Sequence, residues 1–314
     1  MPKRKLYRLI VSRDCHDWRL DQFIAASQED FSRRQVRDLI DLGGVHCSGR
    51  RVHQCGRLVK EGESIEVHVD GAPVQPFRLG QQDVLYRDRW LLSINKPSGV
   101  EMQPTPARFK GTLYEAAQQW LKDPYRPQDK PELAMVQRLD RETSGVVLFS
   151  IHPKAHKPLT EAFSQRRVHK TYLALVSGQL PDSAGEFNSQ LARARATNKM
   201  KSVARGGKEA ITRYRLLQQY DRCCLVWVEI PTGRTHQIRV HFSEAGHPLV
   251  GDTLYKTPAS VTLPGIQRTL LHSWRLQCLH PVEKQDICLA ATLPDDFSRL
   301  LAQLGGSDVD LSAY

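Results

Sequence analysis

The sequence lacks the long apolar runs that mark membrane-spanning and exported chains. None of its 314 residues lies in an apolar run of about 18, the length that a bilayer-crossing helix requires. The basic start at residues 1–10 is followed by no apolar stretch, which argues against a secretory signal. We therefore expect a cytoplasmic, monomeric protein without a membrane partner.

The cysteines favour neither disulfides nor a metal site. All seven are scattered along the chain, their number is odd, and no two have the two-residue spacing of a zinc knuckle. Cys47 and Cys55 lie near His46 and His53, which is a weak pattern for a set of metal ligands. Ordinary strand and loop positions are the better interpretation, so we expect no bound metal.

Acidic residues are too few to balance the basic ones. The chain has 45 Lys and Arg against 34 Asp and Glu, which gives a formal net charge of +11. This surplus favours a polyanionic partner, nucleic acid or an anionic membrane surface, over a merely basic protein. Within 191–215 a single acid, Glu209, accompanies eight basic residues: Arg193, Arg195, Lys199, Lys201, Arg205, Lys208, Arg213 and Arg215. A second basic cluster comprises Arg33, Arg34, Arg37, Arg50, Arg51 and Arg57.

The beginning of the chain has the pattern of a small α+β unit. Ser32 precedes a stretch with helical apolar spacing and predicts an N-cap, and Gly43 and Gly44 predict the end of that helix. A strand, a turn and a second strand are expected within 45–52, and the clean alternation at 64–69 predicts another strand.

Composition and a short linker predict two domains. Hydrophobic residues make up 40% of the chain, which is enough for a core in each. The Pro-containing stretch 71–76 is typical of a linker. We expect a small module at 1–75, a larger domain at 76–304 and a frayed polar tail at 305–314.

The larger domain mixes strands and helices without regular alternation. Apolar runs predict strands at 84–86, 91–94, 146–149, 171–176 and 225–230, and helices at 112–121, 158–165 and 235–245. An irregular order of this kind favours an α+β fold with a mixed, mainly antiparallel β-sheet flanked by helices.

A charged turn between two apolar strand-like runs carries Asp140. Arg138 and Arg141 lie beside it in the sequence, and neighbouring guanidinium groups favour an ionised carboxylate. Such a carboxylate can act as a nucleophile or a base. An ordinary surface ion pair explains the same residues equally well.

Several stretches, in order, resolve this ambiguity through a resemblance. Arg138-Leu139-Asp140, followed by Thr143-Ser144-Gly145, resembles the catalytic motif of RluA-type pseudouridine synthases. The other matching stretches are Asn95-Lys96-Pro97-Ser98-Gly99, His169-Lys170-Thr171-Tyr172, Gly233-Arg234-Thr235-His236-Gln237-Ile238-Arg239-Val240-His241, Gly246-His247-Pro248-Leu249-Val250-Gly251-Asp252 and Leu271-His272. The first segment resembles the S-four-like RNA-binding module that often precedes this catalytic domain.

Three positions depart from the family pattern. Gln137 stands where the family usually has His, but that position is not the nucleophile, so we expect activity to survive. The stretch 100–104 replaces one that usually contains His before Pro, which affects substrate-side contacts. In the module, Cys47-Ser48-Gly49 replaces the usual Val-Asn-Gly turn and keeps its glycine.

The resemblance implies an RNA-modifying isomerase. Asp140 would start the reaction by attacking the sugar or the base, or by taking a ribose proton, and Arg239 would hold it ionised. Tyr172 would stack on the uracil, and its hydroxyl could handle a proton. No step needs a cofactor, and the sequence contains no phosphate-binding glycine loop.

The same resemblance implies residues that contact the substrate. The target base must leave the helical stack, and Arg138 could fill the vacancy. The remaining expected RNA-contacting or pocket-lining residues are Lys96, Arg141, Lys170, Arg234, His236, Gln237, Ile238, Leu271, Arg33, Arg34, Arg37 and Arg51. Ribosomal RNA is the favoured substrate and transfer RNA the alternative; a catalytically silent RNA-binding protein is the competing hypothesis.

Overall fold

A computed structural model describes residues 5–305, which form two compact units. The described part of the first unit covers 5–80 and 99–131, and that of the second covers 81–98 and 132–305. Apart from Gly305, the predicted tail lies outside the described residues. No helix among residues 5–305 combines the length and apolarity needed to cross a membrane.

The first unit combines a four-stranded sheet with helices. Its elements are β1 (Lys5–Ile10), α1 (Leu20–Ser27), α2 (Arg33–Leu42), β2 (Val45–Cys47), β3 (Arg50–Arg51), β4 (Ser64–Val69) and α3 (Leu113–Leu121). The strands pair antiparallel in the order β1-β4-β2-β3. Their apolar faces and the two helices enclose a core that includes Leu20, Ile24, Val36 and Ile65.

Both ends of α2 follow from local sequence. The Ser32 hydroxyl accepts from the Gln35 backbone N–H, while the Gln35 side chain accepts from the Ser32 N–H, a reciprocal capping box. Gly43 ends the helix with φ +88°, a left-handed conformation that glycine adopts without steric cost. The predicted N-cap and the predicted end of this helix are confirmed.

A later stretch of chain packs into the first unit. The Phe109 N–H donates to the Leu42 carbonyl at 2.7 Å, and Arg108 forms a buried ion pair with Asp70 at 2.8 Å. These contacts bring 99–131 into the compact unit that contains 5–80. The boundary at residue 75 therefore stays a prediction about the limits of a folding module.

The second unit is built on one large sheet. Its strands are β5 (Val84–Arg87), β6 (Leu91–Lys96), β7 (Ala134–Met135), β8 (Ser144–Ser150), β9 (His169–Ser177), β10 (Ala184–Arg193), β11 (Met200–Val203), β12 (Lys208–Gln219), β13 (Cys223–Glu229), β14 (Leu271–Leu279) and β15 (Asp286–Ala290). Its helices are α4 (Pro153–Ser164), α5 (Gln237–Glu244) and α6 (Asp295–Gln303). The order along the sheet is β11-β10-β12-β13-β9-β14-β8-β6-β5, with β15 beside β14 and β7 beside β8.

The predicted fold class is confirmed. Among the named strands of residues 5–305, β8 and β14 pair parallel and the other pairings are antiparallel. The parallel pair depends on Gly145, whose φ is +110°. A Cβ at this position would lie 2.1 Å from the Ser273 carbonyl oxygen, so only glycine lets the strands approach here.

Two parts of this unit differ from the sequence-based expectation. Most of the basic stretch within 191–215 lies in the antiparallel strands β10, β11 and β12, whose charged residues obscured the strand pattern, and Arg195, Lys199 and Arg205 lie in the connections between them. Helix α4 begins at Pro153 rather than at Pro158, so the prediction of its start was wrong. The His152 side chain caps it, and Pro153 suits the first helical turn, where no backbone N–H is needed.

Candidate active site

Buried polar contacts hold the turn that carries Asp140. This turn precedes β8, and the Thr143 N–H closes it on the Asp140 carbonyl at 3.1 Å. The Lys96 ammonium donates to the Arg141 carbonyl at 2.9 Å, and the Ser98 hydroxyl donates to the Glu142 carbonyl at 2.7 Å. The turn is therefore fixed from the end of β6 rather than free to move.

The Glu142 side chain anchors the same turn on its other side. One of its carboxylate oxygens accepts from both the backbone N–H and the hydroxyl of Thr269, at 3.1 and 2.8 Å. Thr269 lies just before β14, the strand that pairs parallel with β8. Anchoring from two directions holds the Asp140 backbone in one position.

Arg239 joins two carboxylates. Its Nη1 donates to Asp140 Oδ2 at 3.0 Å, while Nε and Nη2 donate to Asp252 Oδ2 and Oδ1 at 2.6 and 2.9 Å. The Arg239 side chain is only 9% exposed. Burial opposes its charge, but Asp252 and Asp140 together raise the pKa of Arg239 above its usual value. The guanidinium is therefore a permanent cation with a fixed direction.

Asp252 is fully buried, and both of its carboxylate oxygens accept hydrogen bonds. Besides the two bonds from Arg239, its Oδ1 accepts from the backbone N–H groups of Leu254 and Tyr255. Burial alone would raise the pKa of Asp252, but Arg239 lowers it below the usual value. Gly251 brings this loop close, since a Cβ there would lie 1.9 Å from the Arg268 carbonyl oxygen.

Asp252 was not among the site residues predicted from the sequence. It lies at the end of a stretch that supported the resemblance, but its partner Arg239 is 13 residues away across a loop. An acid directly after a glycine within a motif was the available signal, and it does not identify the partner.

His236 is directed by Tyr255. The Tyr255 hydroxyl accepts from the Met200 N–H at 3.1 Å and lies 2.8 Å from His236 Nδ1. On the other side of the ring, His236 Nε2 lies 3.8 Å from Asp140 Oδ1. Burial lowers the pKa of His236, which favours the neutral imidazole.

Tyr172 lies in β9 and is 5% exposed. Burial raises the pKa of Tyr172 to about 12, and the negative charge of Asp140 acts in the same direction. The side chain therefore keeps its phenolic proton at neutral pH. It presents an aromatic ring and a protonated hydroxyl close to Asp140.

Other predicted residues of the second unit have diverse surroundings. Ile238 and Leu271 are buried apolar residues, and Arg138 is exposed beside the turn. Lys96 is fully buried, and its ammonium also donates to the Pro97 carbonyl, so in this structure its charge is used to hold the turn from inside. Gln137, which replaces the family histidine, donates to the Val146 carbonyl at 3.4 Å.

Gln237 is also occupied by internal contacts. Its oxygen accepts from the Thr232 hydroxyl and the Arg234 N–H, and its amide nitrogen donates to the Ile211 carbonyl and the Thr212 hydroxyl. With 2% exposure it stabilises the start of α5 in this structure. This placement argues against the predicted direct contact with RNA.

In the first unit, three arginines surround Asp21. Arg19, Arg33 and Arg37 form ion pairs with this fully buried carboxylate at 3.1, 3.2 and 2.7 Å. Each of the three side chains is about half exposed. Burial alone would raise the pKa of Asp21, but hydrogen bonds from Arg37, Arg19 and Arg33 lower it to about 2.

The other two predicted arginines of this unit differ from each other. Arg34 is exposed on α2. The Arg51 guanidinium donates to the Thr105 carbonyl and lies over the Phe109 ring, 5.4 Å from its centroid. Burial lowers the pKa of Arg51. Arg51 is therefore engaged in packing the first unit.

One group of potential metal ligands occurs among residues 5–305, formed by Asp88, His280 and Glu283. Both ring nitrogens of His280 already form hydrogen bonds. Nε2 bonds to Asp88 at 2.9 Å, and Nδ1 accepts from the backbone N–H groups of Val282 and Glu283. Asp88 also accepts from Tyr86 and from two backbone N–H groups. This network ties the β5–β6 turn to the end of β14.

Two family models match the chain. The RNA pseudouridylate synthase model covers residues 91–244, which include Asp140, Tyr172 and Arg239. The S4 domain model covers residues 18–65, which include the arginines around Asp21. Among solved structures, human RNA pseudouridylate synthase domain containing 4 superimposes with a TM-score of 0.59 and 25% identity, over 71% of this chain and 93% of that one.

Curated relatives match over nearly the whole chain. An uncharacterized RNA pseudouridine synthase of Aquifex aeolicus is 32% identical over 91% of this chain and 93% of its own length. Ribosomal large subunit pseudouridine synthase D of Xylella fastidiosa is 35% identical over 91% of this chain and 88% of its own. Both the resemblance found in the motifs and the expected enzyme class are confirmed: the chain belongs to the RNA pseudouridine synthase family.

Proposed function

We propose that this enzyme isomerises uridine to pseudouridine in large-subunit ribosomal RNA, with Asp140 as its catalytic carboxylate. The observation that best supports this proposal is the arrangement of Asp140, whose Oδ2 accepts a hydrogen bond from the buried Arg239. Its Oδ1 accepts no hydrogen bond among the described residues and is left for the substrate. The names of relatives such as the Xylella fastidiosa enzyme support the choice of RNA. A monomeric, cytoplasmic protein is part of this proposal.

The reaction exchanges one ribose–uracil bond for another. The bond from ribose C1′ to N1 breaks, the uracil turns, C1′ bonds to C5, and the proton lost from C5 is balanced by one gained at N1. Asp140 starts this sequence by attack on the sugar or the base, or by taking a ribose proton. In each route Arg239 keeps the carboxylate ionised and pointed at the substrate.

Tyr172 supplies a surface for the base. Its ring can stack on the uracil, and its raised pKa makes the hydroxyl a hydrogen-bond donor rather than a base. Ile238 and Leu271 form apolar walls. Since a base inside a stacked helix is out of reach of Asp140, the uridine must flip out, and the exposed Arg138 can occupy the space it leaves.

The N-terminal module binds RNA through its phosphates rather than through its bases. Half-exposed guanidinium groups in the S4 domain are suited to phosphate oxygens. The module boundary at residue 75 is retained as part of this proposal.

The test uses purified full-length protein and RNA from cells that lack it. Pseudouridines are mapped in the total RNA before and after incubation, so ribosomal and transfer RNA compete in one reaction. We expect new pseudouridine in large-subunit ribosomal RNA. Modification of transfer RNA alone would overturn the substrate, and RNA binding without any new pseudouridine would favour a silent binding protein.

A further inference from the structure

Lys170 is a cation without a counter-charge. It lies in β9, two residues before Tyr172, so the two side chains leave the strand on the same face. A Cβ built on Gly233 would lie 3.5 Å from Lys170 Nζ, which places the ammonium against the loop before α5. Within residues 5–305 this ammonium has neither an ion pair nor a hydrogen bond.

Two arginines converge on the same place. Arg234 Nε donates to the Glu209 carbonyl at 2.8 Å, and Arg166 Nη2 donates to the Glu209 carboxylate at 2.6 Å. The Glu209 carboxylate pairs with Arg166, so Lys170, Arg166, Arg234 and Glu209 together carry a net charge of +2. Burial, together with Arg234 and Arg166, lowers the pKa of Lys170 to about 8.

The backbone at Arg166 adds an independent observation. Arg166 follows the end of α4 with φ +58°, where the Arg166 and Arg167 N–H groups bond back to the last helical turn. Glycine is the usual residue at such a position, since side chains are strained there. An arginine here disfavours the helix end, so its presence needs a reason other than local folding.

We propose that Lys170, Arg166 and Arg234 form a binding site for a backbone phosphate of the RNA, beside the uridine that Tyr172 receives. The identity of the ligand rests on the proposed function, because that function supplies the polyanion. A phosphate has the charge that the cluster lacks and accepts from all three donors at once. The site would fix the register of the RNA while Asp140 acts on the base.

Phosphate binding at this site takes up a proton. A nearby anion favours the charged ammonium, so Lys170 is protonated to a higher pH in the complex than in the free enzyme. Affinity should therefore be constant below about pH 7 and fall as the pH rises through 8. The charged groups on the elements around Lys170 are Arg166, Glu209, Arg234, Glu229, His169 and Arg275.

The experiment measures binding of a 12-nucleotide oligouridylate at several salt concentrations and from pH 6.5 to 9.5. Lys170→Gln should weaken binding roughly tenfold at pH 7 and reduce the salt slope by about one. Lys170→Arg should keep the affinity but lose the pH dependence, because arginine stays charged. His169→Gln should keep the pH dependence.

Arg166→Gly separates binding from folding. It should leave the melting temperature unchanged or higher, because glycine suits the backbone, and still weaken oligouridylate binding. Lys154→Gln, at an exposed lysine of α4, is the matched control. Equal affinity, salt slope and pH dependence in Lys170→Gln and Lys154→Gln would overturn the phosphate site.

Pseudouridine formation, assayed in parallel, keeps the two proposals apart. If the wild-type enzyme forms pseudouridine and Lys170→Gln binds oligouridylate as tightly as the wild type, only the phosphate site is refuted. Weakened binding in that variant, together with no turnover by the wild type, refutes only the proposed function.

Discussion

The two units use arginine and aspartate in opposite proportions. In the first, one buried carboxylate, Asp21, holds three half-exposed arginines, which gives a local charge of +2. In the second, one buried arginine, Arg239, holds two carboxylates, which gives a local charge of −1. The first arrangement leaves guanidinium edges exposed to solvent, whereas the second leaves one oxygen of Asp140 without a hydrogen bond among the described residues.

A fully buried aspartate occurs in both arrangements, but the direction in which it holds its arginine partners differs. Asp21 and Asp252 are both fully buried, so each needs an arginine to offset the cost of desolvation. Asp21 pairs with three arginines whose side chains are about half exposed to solvent. Asp252 directs one cation inwards to Asp140, whose side chain is 26% exposed. The same kind of ion pair therefore turns cations outwards in one unit and holds a cation against Asp140 in the other.

Removing the shared cation should have the largest effect. Arg239→Gln takes away the charge that holds Asp140 and leaves Asp252 buried without its partner. We expect pseudouridine formation to fall at least about 10³-fold and the free energy of unfolding to fall by about 3–5 kcal/mol. Single-turnover assays and urea unfolding measure the two. Arg222→Gln, at an exposed turn, is the control. Equal activity of both variants would show that the contacts of Arg239 with Asp140 and Asp252 are dispensable for activity.

Removing only the buried carboxylate should have an intermediate effect. Asp252→Asn keeps the side-chain shape but frees Arg239 to rotate away from its fixed direction. We expect kcat to fall about 10²-fold with little change in KM, because misplacement affects the chemical step more than binding. A rise in KM with normal kcat would mean that Asp252 serves RNA binding instead.

In the first unit, loss of one arginine should affect affinity and leave catalysis intact. Arg33→Gln removes one cation that faces solvent, so we expect RNA affinity to fall roughly tenfold and the slope of its salt dependence by about one. Turnover at saturating RNA should stay normal. Binding isotherms at several salt concentrations provide the test, and an unchanged slope would mean that this arginine contacts no phosphate.

Loss of Asp21 should have the smallest effect, and that effect should disappear in acid. Its pKa is lowered from the usual 3.8 to about 2, so its contribution is complete above about pH 4 and disappears as the pH falls towards 2. Asp21→Asn should reduce the free energy of unfolding by about 1 kcal/mol at pH 7, after allowance for solvent screening. The difference from wild type should shrink below pH 4 in urea titrations. Asp14→Asn, at an exposed acid of the same unit, should show neither effect.

Local signals in the sequence predicted much of the fold. The N-cap at Ser32 and the buried strand after the Asp140 turn depend on neighbouring residues, and both were predicted correctly. Strands β10 to β12 were missed because their exposed face carries alternating charged residues. Those charges give the stretch the composition of a basic surface loop, and pairing partners far along the chain decide its structure.

The site was predictable only as far as its motifs. The resemblance identified the stretches that contain Asp140 and Arg239, which lie 99 residues apart and meet in the structure. It did not indicate which polar residues face inwards. Lys96 and Gln237 are residue types that commonly contact RNA, yet their polar atoms form hydrogen bonds to groups inside the protein. Side-chain direction depends on tertiary packing, which a single sequence does not reveal.

The most direct test of the central claim compares two aspartate variants. Asp140→Asn keeps the shape of the side chain and removes its charge, and Asp221→Asn removes the same charge from an exposed turn of the same unit. Pseudouridine formation and RNA affinity are measured for both. We expect at least a roughly 10³-fold loss of activity in Asp140→Asn with RNA affinity close to wild type, and normal activity in Asp221→Asn. Normal turnover by pure Asp140→Asn protein would contradict it.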